Sequence, residues 1–290
     1  VFQSKHVLVT GATGSQGGAV VDALLRRGHQ VRALTRNVDS PVADQLRRQG
    51  VEIAVGDFTN HDSLMHAARG VHALYAMGTP FGGIEQEIAQ GKAITDAAKA
   101  AGVAHLIYSS VDSADRATGI PHFDSKYKVE QYIQASGVPF TIVAPVYFME
   151  NLLQPWLLAG VRQGKLAMAL PANRTLQQIA VPDIGAFVAT VIERGHSVLG
   201  RRYNIAGDDL SGQEAAAILS TVTGREIRYE GFSPDVFRSQ SQDMMLMFEW
   251  FERVGFASDI AGLRRDFPEV GWHTFEGWVR KQDWRMLDQS

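Results

Sequence analysis

The sequence predicts an α/β fold: a doubly wound parallel sheet with a smaller C-terminal α+β lobe. Three observations carry this expectation. Strand-like and helix-like segments alternate through the first half of the chain. The strand segments are short, nearly continuous apolar runs, as expected of strands covered on both faces. The first strand enters its helix through a glycine-rich turn, "VTGATGSQGG". Parallel neighbours need crossover connections, and these are right-handed, which leaves double winding as the economical topology.

Each element has a local reason. "KHVLVT" is β-branched and apolar and stops at Gly11; Ser15 to Arg27 then carries Val20, Leu24 and Leu25 at helical spacing and ends at Gly28. "QVRALT" is the second strand, and Ser40-Pro41 opens a helix with serine as cap and proline in the first turn. "VEIAV" is a strand, and Asn60 caps a short helix through Ala68. "VHALYAM" is a strand followed by a longer helix from Ile84 to Ala101. "VAHLIYSS", a helix containing "HFDSKYKVEQYI", and "VPFTIVAP" complete the alternation. After Pro145 the rhythm breaks. "MENLLQPWLLAGVRQG" and "VPDIGAFVATVIERG" read as helices, "RRYNIAG" as a late strand, and Ser211 caps "GQEAAAILSTVTG". "REIRYEGF" reads as a strand, and the tail ("DMMLMFEWFERVGF", "TFEGWVRKQDW") as helical. The expected division is residues 1–150 as the dinucleotide-binding domain and 151–290 as a substrate or partner lobe, some of whose segments return to the sheet.

Composition bounds the function. The 290 residues are 45% hydrophobic and 20% charged, ordinary for a globular protein with a sizeable core. A net charge of -3 without a basic stripe argues against direct nucleic-acid binding. No cysteine is present, which excludes disulfides, thiolate metal sites and cysteine redox chemistry within the sequence. No apolar run is long enough for a membrane span, and the sequence enters its first strand too soon for a signal peptide, so a cytoplasmic protein is expected. His61, His66, His72 and His105 show no metal-ligand spacing, and no metal is expected.

Gly11, Gly14 and Gly17 fall in a G-x-x-G-x-x-G spacing between the first strand and its helix, the place where a Rossmann-type fold binds a dinucleotide. The chemistry needs a tight turn, close backbone approach to a pyrophosphate, and a helix start whose free N–H groups face the anion. Gly11, Thr13, Gly14, Ser15, Gln16 and Gly17 are therefore assigned to the cofactor. The second strand ends in Thr35 and Arg36, where an acid would select NAD(H); a guanidinium there favours the 2′-phosphate of NADP(H), with help from Arg32 or Asn37 and with Asp39 blunting the preference. Asp57 and Phe58, after the third strand, are placed beside the adenine, with a turn or cap as the competing role of Asp57. Gly78 and Thr79, after the fourth strand, are placed under the ribose and phosphates.

Together "VTGATGSQGG", "RALTRN", "VGDF", "HFDSKYKVEQYI", "VPFTIVAPVYFMEN" and "VPDIGAFVA" resemble the NmrA-like branch of the atypical short-chain dehydrogenase/reductase superfamily. The resemblance spans the chain to about residue 195. It implies an NADP(H)-preferring domain and a small C-terminal lobe that forms a cleft over the nicotinamide. It also implies two kinds of function, because the group includes reductases and dinucleotide-sensing regulators.

The catalytic helix of a short-chain reductase carries a Tyr-x-x-x-Lys pair on one face, with a serine at the end of the preceding strand. By resemblance, Lys126 is the lysine that holds the nicotinamide ribose, Ser109 or Ser110 the serine, and His122 stands where the tyrosine belongs. Histidine side chains exchange protons near neutral pH, so acid–base work is chemically open to this site. Tyr147 is a substitute acid to be weighed, and Val146 and Phe148 are placed against the nicotinamide. The methionine and aromatic residues from Met244 to Trp250 suit either an adaptable apolar pocket or helix core. The expectation leans to an NADPH-dependent reductase of a small apolar carbonyl, enone, imine or quinone. The alternative is a non-catalytic NADP(H) redox sensor acting through a regulatory protein partner; a homodimer is an open arrangement for either.

Overall fold

Apolar runs bounded by glycine turns form the strands that the sequence predicts, and polar caps start many of the helices. A computed structural model describes residues 3–78 and 82–288. In chain order the elements are β1 (His6–Val9), α1 (Ser15–Arg26), β2 (Gln30–Thr35), α2 (Pro41–Arg48), β3 (Glu52–Val55), α3 (His61–Ala68), β4 (Ala73–Met77), α4 (Ile84–Ala100), β5 (His105–Ser109), α5 (Pro121–Ser136) and β6 (Phe140–Pro145). They continue with β7 (Tyr147–Phe148), α6 (Pro155–Arg162), β8 (Lys165–Met168), β9 (Thr175–Ile179), α7 (Val181–Arg194), β10 (Arg201–Ile205), β11 (Asp208–Ser211), α8 (Gly212–Thr223), β12 (Arg228–Gly231), α9 (Gln242–Arg253), α10 (Ile260–Asp266) and α11 (Phe275–Val279).

The chain divides into two compact units. The first comprises residues 1–117, 121–144 and 184–204, and the second residues 118–120, 145–183 and 205–290. In the first, a seven-stranded sheet has the order β10-β6-β5-β4-β1-β2-β3, and β1 to β6 pair in parallel. The order reverses between β1 and β4, which makes the carboxyl edge there the switch point where ligands bind in such sheets. Register brings the functional positions level at that edge: Val9 pairs with Tyr75, and Met77 with Ser109. Leu8, Leu34, Leu64, Leu74, Ile94, Leu106, Val129, Ile133 and Ile142 form one buried core from the strands and from α3, α4 and α5. Each such side chain contributes roughly 1.5–3 kcal/mol by leaving water.

Capping follows the predicted chemistry. Ser40 Oγ accepts from Ala43 N, Asn60 Oδ1 from Ser63 N, and Ser211 with Glu214 forms a reciprocal capping box on α8. The helix expected from Met149 onward is instead a 3-10 turn, Met149–Leu153, followed by α6. Pro155 is the cause: it forces Gln154 to an extended ψ of 145° and starts a new helix as its first residue. Of the tail expected as helix, "DMMLMFEWFERVGF" forms α9, whereas "TFEGWVRKQDW" holds only the short α11 before a 3-10 turn at Trp284–Asp288. Sequence analysis passed over β8, β9 and β11, whose "KLAM", "TLQQI" and "DDLS" are too polar and short to read as strands. They belong to two small sheets of the second unit, ordered β11-β9-β7 and β12-β8.

Two contacts in the first unit have measurable consequences. At Gly91 of α4, an added Cβ would lie 2.5 Å from both methyls of Val129 on α5, so the helices cross at the closest approach a glycine allows. Gly91→Ala gains about 1 kcal/mol of helix propensity but overpacks a stiff β-branched neighbour at a cost of about 1–3 kcal/mol. Denaturant melts should show a net loss for Gly91→Ala, and Gly91→Ala/Val129→Ala should be less harmful than the sum of its parts. Simple additivity would refute the contact. His105 is buried, and the Thr141 hydroxyl, which donates to Val198 O, accepts from His105 Nε2–H at 2.8 Å. Burial first, then the charges of Lys5 and neighbouring histidines, pushes this imidazole down to about 4 from 6.5. Folded His105 therefore holds fewer protons than the unfolded chain between those values. Stability present above pH 6.5 should fall as pH drops toward 4, by up to roughly 3 kcal/mol. His105→Gln should flatten that slope in melts across the same window.

Candidate functional site

The glycine loop is built as a cradle. Gly11 adopts φ +64°, where L side chains are strained, and the Gly14 amide closes the turn onto Gly11 O at 2.9 Å. An added Cβ on Gly17 would lie 2.2 Å from Gly11 O and 2.4 Å from Gly11 C, backbone atoms that cannot yield. Gly14, by contrast, faces open space apart from one ordinary contact, so the mouth of the loop is clear. It is also the N-cap of α1 and supplies no capping side chain, and no acid sits in the first turn. The amides of Ser15, Gln16 and Gly17 have no partner within the helix, and no acid of the first turn answers its positive end. These residues fit the pyrophosphate of a dinucleotide.

Next to the cradle, Gln16 is buried and its Nε2 donates to Ser109 Oγ at 2.6 Å. The first turn of α1 and the end of β5 are thus tied together. Ser110 faces elsewhere: its hydroxyl donates to Glu130, a buried carboxylate that also accepts from Arg202 Nε at 2.9 Å. Of the two candidate serines, Ser109 is the one beside the loop. Tyr75 and Tyr108, wholly buried, are both pushed up by desolvation, Tyr108 further by Glu87 and Glu130, which removes them as proton donors.

Lys126 lies one turn beyond His122 on α5, as the sequence requires. Its Nζ donates to Glu87 Oε1 at 2.7 Å, and the Ser125 hydroxyl donates to Glu87 Oε2. Glu87 is 0% exposed, whereas the Lys126 side chain keeps 12% exposure. Two features make this placement possible. The α4–α5 crossing at Gly91 and Val129 brings the residues one turn earlier in each helix, Glu87 and Ser125, into contact. Gly78 leaves space at the end of β4, because a Cβ there would stand 3.0 Å from Glu87 Cγ. Gly78 therefore has a packing reason of its own. His122 packs edge-on against Phe123, with ring centroids 4.7 Å apart.

Glu87 is the residue that sequence analysis missed. An acid in the first turn of a helix reads as a solvated partner of the helix dipole, and Glu85 fits that description. The signal was its spacing with Gly91, Ile94 and Ala98, which sets Glu87 on the apolar stripe of α4.

At the other end of the loop, Arg36 is exposed after β2 and its charge helps to lower Asp57. The larger cause is Thr59, whose hydroxyl and amide both donate to Asp57 Oδ1, at 2.6 and 2.7 Å. One oxygen of Asp57 thus serves a turn. Arg32, offered as a second phosphate ligand, is committed elsewhere: it donates to Ala67 O and Arg69 O and pairs with Glu52. Asn37 shapes the turn by accepting from Asp39 N. Phe58 packs against the core of the first unit, and Thr79 lies outside the described residues.

Val146, Tyr147 and Phe148 belong to the second unit. The Val146 amide is spent on Ile205 O at 3.2 Å, and Tyr147 and Phe148 form β7 against β9. Desolvation pushes the Tyr147 phenol up to about 12, with Asn151 beside it, which makes it a poor acid. Met247, Phe248, Trp250 and Phe251 of α9 are buried, and Phe248 stacks on Phe237, so that stripe is core. Among the described residues, no group of three metal-ligating side chains gathers, and no helix is long and apolar enough to cross a membrane.

The NmrA-like family model matches residues 3–279. The (4-alkanoyl-5-oxo-2,5-dihydrofuran-3-yl)methyl phosphate reductase of Streptomyces griseus is 32% identical over 236 residues, 80% of this chain and 79% of that protein. The NAD(P)H azoreductase of Xenophilus azovorans is 32% identical over 225 residues, covering 77% and 76% of the two chains. Among solved structures, an NADPH-dependent quinone oxidoreductase from Escherichia coli, complexed with NADPH, superposes with a TM-score of 0.79 at 25% identity, over 94% of this chain and 98% of that one.

Because Gly17 faces backbone, Gly17→Ala should weaken dinucleotide binding at least about ten-fold by direct titration and cost about 1–3 kcal/mol of stability. Gly14→Ala, with room at that position, should leave stability within about 1 kcal/mol. Equal effects of the two would show that the loop is not the cradle described.

Proposed function

The chain belongs to the NmrA-like family, and we propose that it is an NADPH-dependent reductase of a small, apolar carbonyl, enone, imine or quinone. Its cofactor is NADP(H). The observation that carries the reading is the Lys126 ammonium, held by Glu87 and kept partly accessible at the edge where Ser109 is tied to the glycine loop. An ammonium has three donors, and Glu87 takes one, which leaves donors for the hydroxyls of the nicotinamide ribose. The amides that open α1 receive the pyrophosphate, and Arg36 receives the 2′-phosphate through its planar fork.

The nicotinamide supplies the hydride, and with it the difficult part of the reaction. The chain's own work is to bind, orient and supply one proton. His122 stands one turn from Lys126, where an imidazole can pass a proton to a nascent alkoxide; Ser109 or water can do the same. A quinone needs the least help, because its reduced oxygen is a weak base. Reductase activity among relatives that share about a third of their residues supports the reading, and quinones suit a site with His122 in the place of a tyrosine.

The test is NADPH oxidation against a panel of quinones, enones, ketones and imines, with binding measured separately. Lys126→Ala should lower turnover at least roughly a hundred-fold, more than it lowers affinity. His122→Phe should lower it by a similar factor for ketones and much less for quinones. Tight NADPH binding with no turnover on any substrate would replace the reductase with a redox sensor, whose partner must then respond to the bound form.

A further inference from the structure

Glu87 poses a question that cofactor binding alone does not answer. Its carboxylate is 0% exposed, and among the described residues it accepts from the Lys126 ammonium and, through its other oxygen, from the Ser125 hydroxyl. That hydroxyl also lies 3.0 Å from His122 O; it has one proton, and the nearer carboxylate takes it. A buried ion pair is a weak source of stability, since packed apolar side chains commonly do as well or better. The chain nevertheless gives it Gly78 for space and the Gly91 crossing for approach. The arrangement supplies charge as much as structure.

We infer that Glu87 is a positioning residue that sets the redox-form preference of the cofactor site by neutralising Lys126. This rests on the reading of Lys126 as the ribose-binding lysine. An oxidised nicotinamide ring carries a formal positive charge that the reduced ring lacks. An uncompensated ammonium at the adjoining ribose would repel the oxidised form and favour the reduced one, more strongly in a low-dielectric site than in water. With Glu87 in contact at 2.7 Å the two charges sum to zero, and the remaining dipolar field falls off faster with distance. The ammonium keeps its donors for ribose while its net charge is cancelled. The site can then hold both forms, as a reductase must when it accepts NADPH and releases NADP+.

The experiment is calorimetric titration of the full chain with NADP+ and with NADPH, each variant first checked for a native melting transition. Glu87→Gln keeps the size and an acceptor but removes the charge. The ratio of the NADP+ dissociation constant to that of NADPH should rise about ten-fold, mainly through weaker NADP+ binding. Glu87→Gln/Lys126→Met removes both charges and should return the ratio to within about three-fold of wild type, even though both affinities fall. A ratio unmoved in Glu87→Gln, or one that stays raised in the double variant, overturns the charge-setting role and leaves Glu87 a packing residue. If Lys126→Met alone leaves both affinities unchanged, Lys126 is not at the ribose; the binding assignment then fails first, and this inference with it.

Discussion

A carboxylate removed entirely from water must be met by a cation and by hydrogen bonds, and the arrangement around Glu87 satisfies that demand. Leaving such a group unpaired costs roughly 3–5 kcal/mol, a large part of the stability of an ordinary domain. The positions of α4 and α5 are therefore not free. Gly91 lets the helices close, Val129 sets how far, and one turn earlier Ser125 and Lys126 arrive at the two carboxylate oxygens. Gly78 at the end of β4 completes the space. Packing, electrostatics and the placement of Lys126 are one problem with one solution.

Much of the first unit was legible in the sequence because its signals are local. Ser40 and Asn60 cap their helices with the side chains expected, and the parallel strands are apolar enough to stand out. The losses fall where local chemistry is outvoted. β8, β9 and β11 are short and half-polar, so their strand character comes from pairing with distant partners. Pro155 acts locally and in plain view of the sequence: it holds Gln154 extended and so divides the helix.

The candidate site divides along the same line. The glycine loop was readable because two of its glycines have a geometric reason, the positive φ of Gly11 and the backbone contact at Gly17, and Gly17 has the stricter. Ser109 could be separated from Ser110 only by structure, since adjacent strand residues point to opposite faces: one meets Gln16, the other Glu130. Arg32 looked like a phosphate ligand by proximity in sequence, but its guanidinium is spent on the carbonyls of Ala67 and Arg69 and on Glu52. Glu87 was hidden by its type, because acids near helix starts are usually solvated.

The place of β10 at the end of the central sheet has a kinetic meaning. β6 is made long before its outer neighbour, and the intervening chain contributes mainly to the second unit. Until residue 205 has emerged from the ribosome, "FTIVAP" is an apolar edge strand with unpaired amides and carbonyls, the template on which chains pair wrongly with one another. The nascent protein is therefore open to such pairing during that stretch of synthesis. Anything that stalls translation there lengthens the exposure of a surface that the finished molecule does not show.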